Sequence, residues 1–562
     1  MKYRKLLLPL CIVLFTIFAY RNSFNQFFLQ DEWLSSGVFL YYEKIGLLWR
    51  MFLPFKGLLA HFNPLNTLFF LGERHYFQFH YEYYALMSIL THAINGVILS
   101  FFVYRLTKKW IIAFPVAFLF VVNSIPREAI TWIAGGNGLL QTTTLFLLSL
   151  HFLYSYVETH GKRFLFLTMT AFFLSLFFKE DLVFLFIGIP SFYLILEKRS
   201  KRSLMRTILL ALIATAVIFL GIRLFLVSMG LYAYEEVVDV STANMFVYPF
   251  RIITMPLRML TQSFVPESFV LSAARFITHL GYPQFVTKGE ANPFISETIV
   301  ADLILYIGAV VFFSIAVKIC KILWQRKEKN LLKLAIFSIV LIVESAVSYV
   351  FVPGRAGFFS IFPSRYLYIS SIGASIFLVL MVFAMWTSIK KFSRRVLWFG
   401  YGAGIGFIVI FHFVRLQQAI SNLSEVGTLR KSLLTTMSTR YPVLPQKVII
   451  FSESNRAYYG SPPDEHTLPV QSGFGQMLLV WYDATENFPA CLFEKLYLYE
   501  RLSQGYRECD GRGFGYFREK DKLMETVNKF DLPPESVIGF SYSARTQAFE
   551  DITDEIRKEI DL

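Results

Sequence analysis

Long apolar runs separated by short charged clusters fill the first three quarters of the chain. They exceed strand length, and this pattern predicts membrane-crossing helices. The runs fall at 6–20, 83–104, 111–125, 138–156, 164–178, 182–196, 206–228, 298–319, 331–350, 366–388 and 396–416, which makes eleven predicted spans. Several are shorter than the roughly 20 residues a perpendicular span needs, so their ends extend by a few residues or the helices tilt. The first run follows MKYRK and could pass for a signal peptide. LPLCIVLFTIFAYRNSF offers no small-residue cleavage pattern, however, and reads as an uncleaved first span.

The polar clusters between the runs set an orientation. With the N-terminus in the cytoplasm, the inside connections are RLTKKW, ETHGKR, EKRSKRSLMR, KILWQRKEKN and IKKFSRR, all short and basic. An odd number of spans then puts the C-terminus outside. The segment 21–82, the connection 126–137, the Lys179–Asp181 stretch, the segment 229–297, the connection 351–365 and the tail from 417 all fall on that outer side. The expected setting is a plasma membrane crossed many times. The first outer loop also carries RMFLPFKGLLAHF, where Lys56 and His61 interrupt apolar residues as in a helix lying along the interface.

Composition agrees with this picture. Of 562 residues, 55% are hydrophobic and only 17% charged, too few charges for an ordinary soluble surface. The formal charge of +14 sits in the inside connections rather than on one soluble face, so nucleic acid is not an expected partner. The lipid bilayer is.

The tail has a different texture. KVIIFSES and GQMLLVWY read as buried strands, SVIGFSYSARTQAFEDI as two strands around a turn, and ITDEIRKEI as a polar helix. These elements predict a small extracytoplasmic α/β or α+β domain over 417–562, beside a membrane domain over 1–416. Cys491 and Cys509, eighteen residues apart, suit a disulfide in that compartment, with two separate buried thiols as the alternative.

Four blocks in the membrane half carry chemistry: His92 and Asn95 in LTHAINGV, Glu128-Ala129-Ile130-Thr131-Trp132-Ile133, Lys179-Glu180, and Arg365-Tyr366-Leu367-Tyr368 through Gly373. In this order they resemble the GT-C superfamily of polyprenyl-phosphate-sugar glycosyltransferases, and within it the protein O-mannosyltransferase-like membrane regions of tetratricopeptide-bearing members. Those show an H-x-x-N pair, a block like HPxHxEAVxWIxxRxDLL, a KE and a RYLYLPSxG block. The likeness covers the membrane half and none of the tail.

The resemblance implies a GT-C-like fold and a metal-independent glycosyl transfer (EC 2.4 class) from a polyprenyl-phosphate-linked sugar to an acceptor hydroxyl on protein, glycan or lipid. No cofactor is required in that branch, although the carboxylates and imidazoles of the first loop suffice to retain a divalent ion if the chain departs from it. Relatives carry an acidic pair in the first outer loop, where this chain has Asp31 and Glu32.

Chemistry alone asks for a base near the acceptor hydroxyl and cations near the departing phosphate. Asp31 is the expected base, with Glu32 holding sugar hydroxyls or orienting its neighbour. Adjacent carboxyls at the margin of low dielectric should include one with a raised pKa. A helix N-cap at Asp31 is the structural alternative. Glu128 falls in the first turn of a helix opened by Pro126, with a catalytic-support role, and Arg127 adds a cation beside it. Arg365 is the expected phosphate fork, with Arg355 and Lys179 assisting and Asn63 standing where relatives have an arginine. The glycines of AGGNG read as turn residues, and His92 with Asn95 as an interhelical hydrogen-bonding pair. No histidine spacing resembles a zinc site, so no metal ligands are assigned. The alternatives to an enzyme are a transporter or a flippase of lipid-linked sugar, which would show an internal repeat and a midplane site, and a scaffold displaying the tail.

Overall fold

A computed structural model describes residues 2–55, 61–180, 188–196, 202–233, 247–281, 293–350, 361–389, 393–455, 468–470 and 473–560. Arg355, Lys56 and Asp181 lie outside the described residues.

The first part is helical: α1 (Lys2–Ala19), α2 (Gln30–Lys44), α3 (Pro64–Phe77), α4 (Tyr81–Thr107), α5 (Trp110–Val122), α6 (Glu128–Thr131), α7 (Ile133–Thr159), α8 (Lys162–Phe178), α9 (Gly188–Leu196), α10 (Arg202–Ser228), α11 (Val247–Gln262), α12 (Glu267–Gly281), α13 (Pro293–Gln325), α14 (Lys329–Ser345), α15 (Val347–Val350), α16 (Tyr368–Ser388) and α17 (Arg394–Arg440). A helix stands at each of the eleven apolar runs. Among the described residues, six stretches are long and apolar enough to cross a membrane: Tyr81–Thr107, Leu204–Ser228, Thr298–Gln325, Lys329–Val350, Ser364–Ser388 and Arg395–Arg440. Leu7–Ala19 and Trp110–Val122 are shorter apolar helices. The chain is a mostly helical, polytopic membrane protein.

The connections separate into two ends. At one, Arg105 pairs with Glu158 at 2.8 Å, Lys109 with Glu328 at 2.9 Å, and Lys333 Nζ donates to the Leu196 carbonyl at 2.5 Å. Three of the five basic connections, RLTKKW, ETHGKR and KILWQRKEKN, thereby meet. Lys108, His160 and Lys327 adopt left-handed φ of 57°, 55° and 58° as α4, α7 and α13 end there. A cation in that position also faces the negative end of the helix dipole. At the other end lie the loop before α4, the α5–α7 connection, Lys179-Glu180, residues 361–367 and the C-terminal region, tied by contacts described below.

The C-terminal region is a five-stranded open sheet of order β2-β3-β1-β4-β5, built from β1 (Lys447–Ser454), β2 (Gly505–Cys509), β3 (Arg512–Phe517), β4 (Val537–Ser543) and β5 (Ala548–Asp551). β1 runs parallel to β3 and β4, while β2 and β5 close the edges antiparallel. Helices α18 (Phe474–Glu486), α19 (Lys520–Phe530) and α20 (Thr553–Ile560) complete it. The expected β4–β5 hairpin and final polar helix are present, and Cys491 is bonded to Cys509.

GQMLLVWY is a correction: it forms α18 rather than a strand. Residues 474–480 are all buried, because α18 lies between the sheet and α2, and a helix covered on both sides loses its amphipathic signature. Phe27, Phe28 and Trp33 of the first loop share one core with Val448, Phe474, Leu478 and Phe540. The helix α17 also continues past residue 416 without a break, so the C-terminal region is joined to the membrane part by helix and by core alike.

Candidate functional site

The first turns of α7 gather the chemistry. After α5 the chain turns through Asn123, whose Oδ1 accepts the Ile125 N–H at 3.0 Å. Ser364 Oγ donates to the Ile125 carbonyl at 2.5 Å and accepts the Glu128 N–H at 3.2 Å, which fixes residues 361–367 to this turn. One helical turn, α6, begins at Glu128, as expected for the residue after Pro126-Arg127. The backbone breaks at Trp132 (φ −110°, ψ 104°) before α7 starts.

AGGNG is not a turn. Its glycines lie inside α7, a correction with a steric cause: a Cβ at Gly136 would overlap the Ala129 carbonyl, and one at Gly138 would stand 2.7 Å from the Phe178 carbonyl oxygen. Their bareness lets α6 and the end of α8 approach the helix.

Arg365 sits on this surface. Its backbone N–H meets Glu128 Oε2 at 3.4 Å, and its Nη1 lies 3.6 Å from the same oxygen, an ion pair too long for a good hydrogen bond. The guanidinium lies over the Trp132 ring at 4.3 Å and the Tyr366 ring at 4.9 Å. The two side chains remain 17% and 30% exposed, so the pair opens to solvent or ligand. Beneath it, Tyr368 receives the Asn95 amide at 3.1 Å and bonds His92 Nδ1 at 2.8 Å, while His92 Nε2 faces the Val121 carbonyl at 3.3 Å. Both ring nitrogens of His92 are thereby partnered, Nδ1 by the Tyr368 hydroxyl and Nε2 by the Val121 carbonyl. His92 and Asn95 thus form the expected interhelical pair, and their shared partner belongs to the Arg365 block.

The acidic pair approaches α7 from the other side. Glu32 is buried, with Oε2 accepting the Leu29 N–H at 2.9 Å and Oε1 accepting the Ala134 N–H at 3.0 Å. It therefore ties the starts of α2 and α7 together, leaving the half-buried Asp31 as the more accessible carboxyl of the pair. Burial pushes the Glu32 carboxyl up to about 7 against its backbone hydrogen bonds, and the Asp31 charge adds to the rise. The N-cap alternative for Asp31 is not realised: Leu29 is the N-cap, and Glu32 reaches back to it. Ala134 bonds Glu32, and the next residue, Gly135, abuts Trp132 and the Arg365 side chain. Glu32 and Arg365 thus flank one helical turn.

Lys179 ends α8 directly after Phe178, which packs at Gly138. Its neighbour Glu180 accepts from His61 Nδ1 at 2.5 Å. Burial pushes the Glu180 carboxyl up, but the His61 contact, a backbone hydrogen bond and the Lys179 charge together leave the net shift downward. Asn63 is the N-cap of α3 without a side-chain capping bond. Arg127 precedes α6 and, with Glu128, acts electrostatically on Glu267 at the start of α12. Glu267 and Glu73 are carboxyls that sequence reasoning missed. Glu267 is pushed up by burial first and then by the Glu128 charge. Glu73 is buried, accepts from Asn137 Nδ2 at 2.6 Å, and is pushed up to about 8 by burial. The helical period of α3 gives Glu73 no distinguishing signal, while Pro266 ahead of Glu267 is a helix-start signal.

Among the described residues no group of three His, Cys, Asp or Glu side chains is arranged to hold a metal ion. No protein-family model matches this chain, and no curated protein matches it.

Proposed function

We propose that the chain is a GT-C-like glycosyltransferase that moves a sugar from a polyprenyl-phosphate donor to an acceptor hydroxyl at the outer face of a plasma membrane, with about eleven spans and the N-terminus in the cytoplasm. The observation that carries the reading is the placement of Arg365, stacked on Trp132 and paired with Glu128, across one turn of α7 from the Asp31–Glu32 pair. The meeting of basic connections at one end supports the orientation, and the Cys491–Cys509 disulfide at the other end supports an extracytoplasmic C-terminal region.

In this mechanism Asp31 takes the proton of the acceptor hydroxyl as its oxygen bonds to the anomeric carbon. The bond from that carbon to the phosphate oxygen breaks, and the lipid phosphate leaves with the electron pair. Arg365 receives the growing negative charge, its plane held by Trp132 and Tyr366. Glu128 keeps the guanidinium in place, Arg127 and Lys179 add positive potential, and Glu32 fixes the backbone that presents Asp31. The scheme uses no metal or other cofactor.

A transport reading has one observation in its favour: Glu344, buried within α14, accepts from Ser191 at 3.1 Å, and buried carboxyls inside spans often serve transport. One assay separates the two. Purified protein receives a panel of labelled polyprenyl-phosphate hexoses and pentoses, with and without EDTA, and label is followed into protein, glycan and lipid fractions. Transfer that persists in EDTA supports the proposal. Movement of the donor across a bilayer without transfer overturns it.

A further inference from the structure

The turn that carries Tyr499 is built against the grain of its own backbone. Lys495, Leu496 and Leu498 have φ of 55°, 54° and 60°, a region bulky L-residues rarely occupy. Such strain persists only where the surroundings over-determine it, and it clusters at functional sites. Here the clamps are visible. Arg507 donates to the carbonyls of Cys491 and Glu494 at 2.8 and 3.3 Å and lies 4.3 Å from the Tyr497 ring centroid. The Cys491–Cys509 disulfide joins the segment to β2, and the Gly473 N–H donates to the Tyr499 carbonyl at 2.6 Å.

This strained turn is delivered to the candidate base. Gln30, the residue before Asp31, donates to the Tyr499 hydroxyl at 2.9 Å. Lys44, at the far end of the same helix, bonds Asp483 at 3.0 Å and Asn487 at 2.9 Å, so both ends of α2 are fastened to the C-terminal region. Burial pushes the Tyr499 phenol up, and the charges of Asp31 and Glu500 push the same way against the Gln30 bond. Glu500 itself is exposed.

We propose that the turn Glu494–Glu500 is the acceptor-recognition element, presenting Tyr499 and Glu500 beside Asp31 to a saccharide acceptor. This rests on the glycosyltransferase reading above. The chemistry favours a sugar ring, whose several hydroxyls each donate and accept: the exposed Glu500 carboxylate accepts, the Gln30 amide oxygen accepts, and the Tyr499 hydroxyl donates.

The test uses the purified full chain in lipid nanodiscs with labelled polyprenyl-phosphate sugars, a panel of short oligosaccharides, and a Ser/Thr-rich peptide. Native protein is expected to label an oligosaccharide. Tyr499→Phe and Glu500→Gln are each expected to raise the oligosaccharide KM about 10-fold, the scale of one lost hydrogen bond to a charged or shared group, with kcat within about twofold. Glu500 is exposed, so its variant separates recognition from folding. Label entering only the peptide, or an unchanged oligosaccharide KM in both variants, overturns the inference while leaving the transferase reading intact. Native protein that neither transfers nor hydrolyses any donor overturns both.

Discussion

The guanidinium of Arg365 lies against the indole of Trp132, 4.3 Å from its ring centroid, while the carboxylate of Glu128 stands 3.6 Å away. A cation held by a face and an ion pair keeps its orientation without spending its donors. Among the described residues the guanidinium makes no hydrogen bond. Arg365→Ala should therefore cut transfer about 100-fold, and Arg365→Lys should recover only part of it, since a point charge neither stacks nor forks. Steady-state kinetics on folded, purified variants decide this. An Arg365→Ala protein turning over at the native rate removes the residue from the site.

Asp31 and Glu32 should fail in different ways. Asp31→Asn is expected to lose transfer about 100-fold while keeping its melting temperature, because only proton acceptance is removed. Glu32→Gln puts an amide NH₂ against a backbone N–H at Leu29 or Ala134, and should cost about 1–3 kcal/mol of stability. Thermal unfolding measured beside activity separates the two. Equal loss of stability in both variants contradicts the division of roles.

Two buried carboxyls, Glu32 and Glu73, set a pH dependence. Both hold their proton more tightly folded than unfolded, rising from 4.5 to about 7 for Glu32 and to about 8 for Glu73. Their contribution to stability is fully present below pH 4.5 and is lost as pH rises through those values. Stability should fall between about pH 5 and 8, and Glu73→Gln should flatten the upper part of that fall. Melting curves of native and variant protein across this range provide the measurement. A native curve that rises with pH contradicts the burial argument.

Accessibility tags check the two ends. Cysteines placed after residues 160 and 328 should react only from the cytoplasm, and one near residue 430 only from outside. A tag near 430 that reacts from the cytoplasm reverses the orientation and moves the candidate chemistry to the wrong face for the proposed donor.

Much of the helical part was legible because lipid imposes a simple rule, long apolar runs divided by short polar connections, and a helix stands at each run. The β4–β5 hairpin was legible from alternation around Ser543–Ala548. What escaped depends on contact between distant segments. Nothing local in GQMLLVWY says that α2 will cover it from above, and nothing in AGGNG says that the Ala129 and Phe178 carbonyls will lie against it. Among the candidate residues, Glu128 and Arg365 were legible by type and are found together, whereas the structural burden of Glu32 became visible only with Ala134 beside it.

The unbroken helix α17 works as a ruler. From Arg394 it runs through the apolar stretch to Gly427, where the missing side chain lets it touch the backbone of Gln26 and Phe27, just ahead of Asp31. At about 1.5 Å per residue that distance is about 50 Å, against roughly 30 Å of hydrocarbon. The distance from Arg394 to the segment that carries Asp31 is thus written in the number of residues in one helix. Lengthening that helix by about two turns, seven residues, would shift the brace by about 10 Å while nearly keeping its facing, whereas adding about half a turn would swing it away from Gln26 altogether.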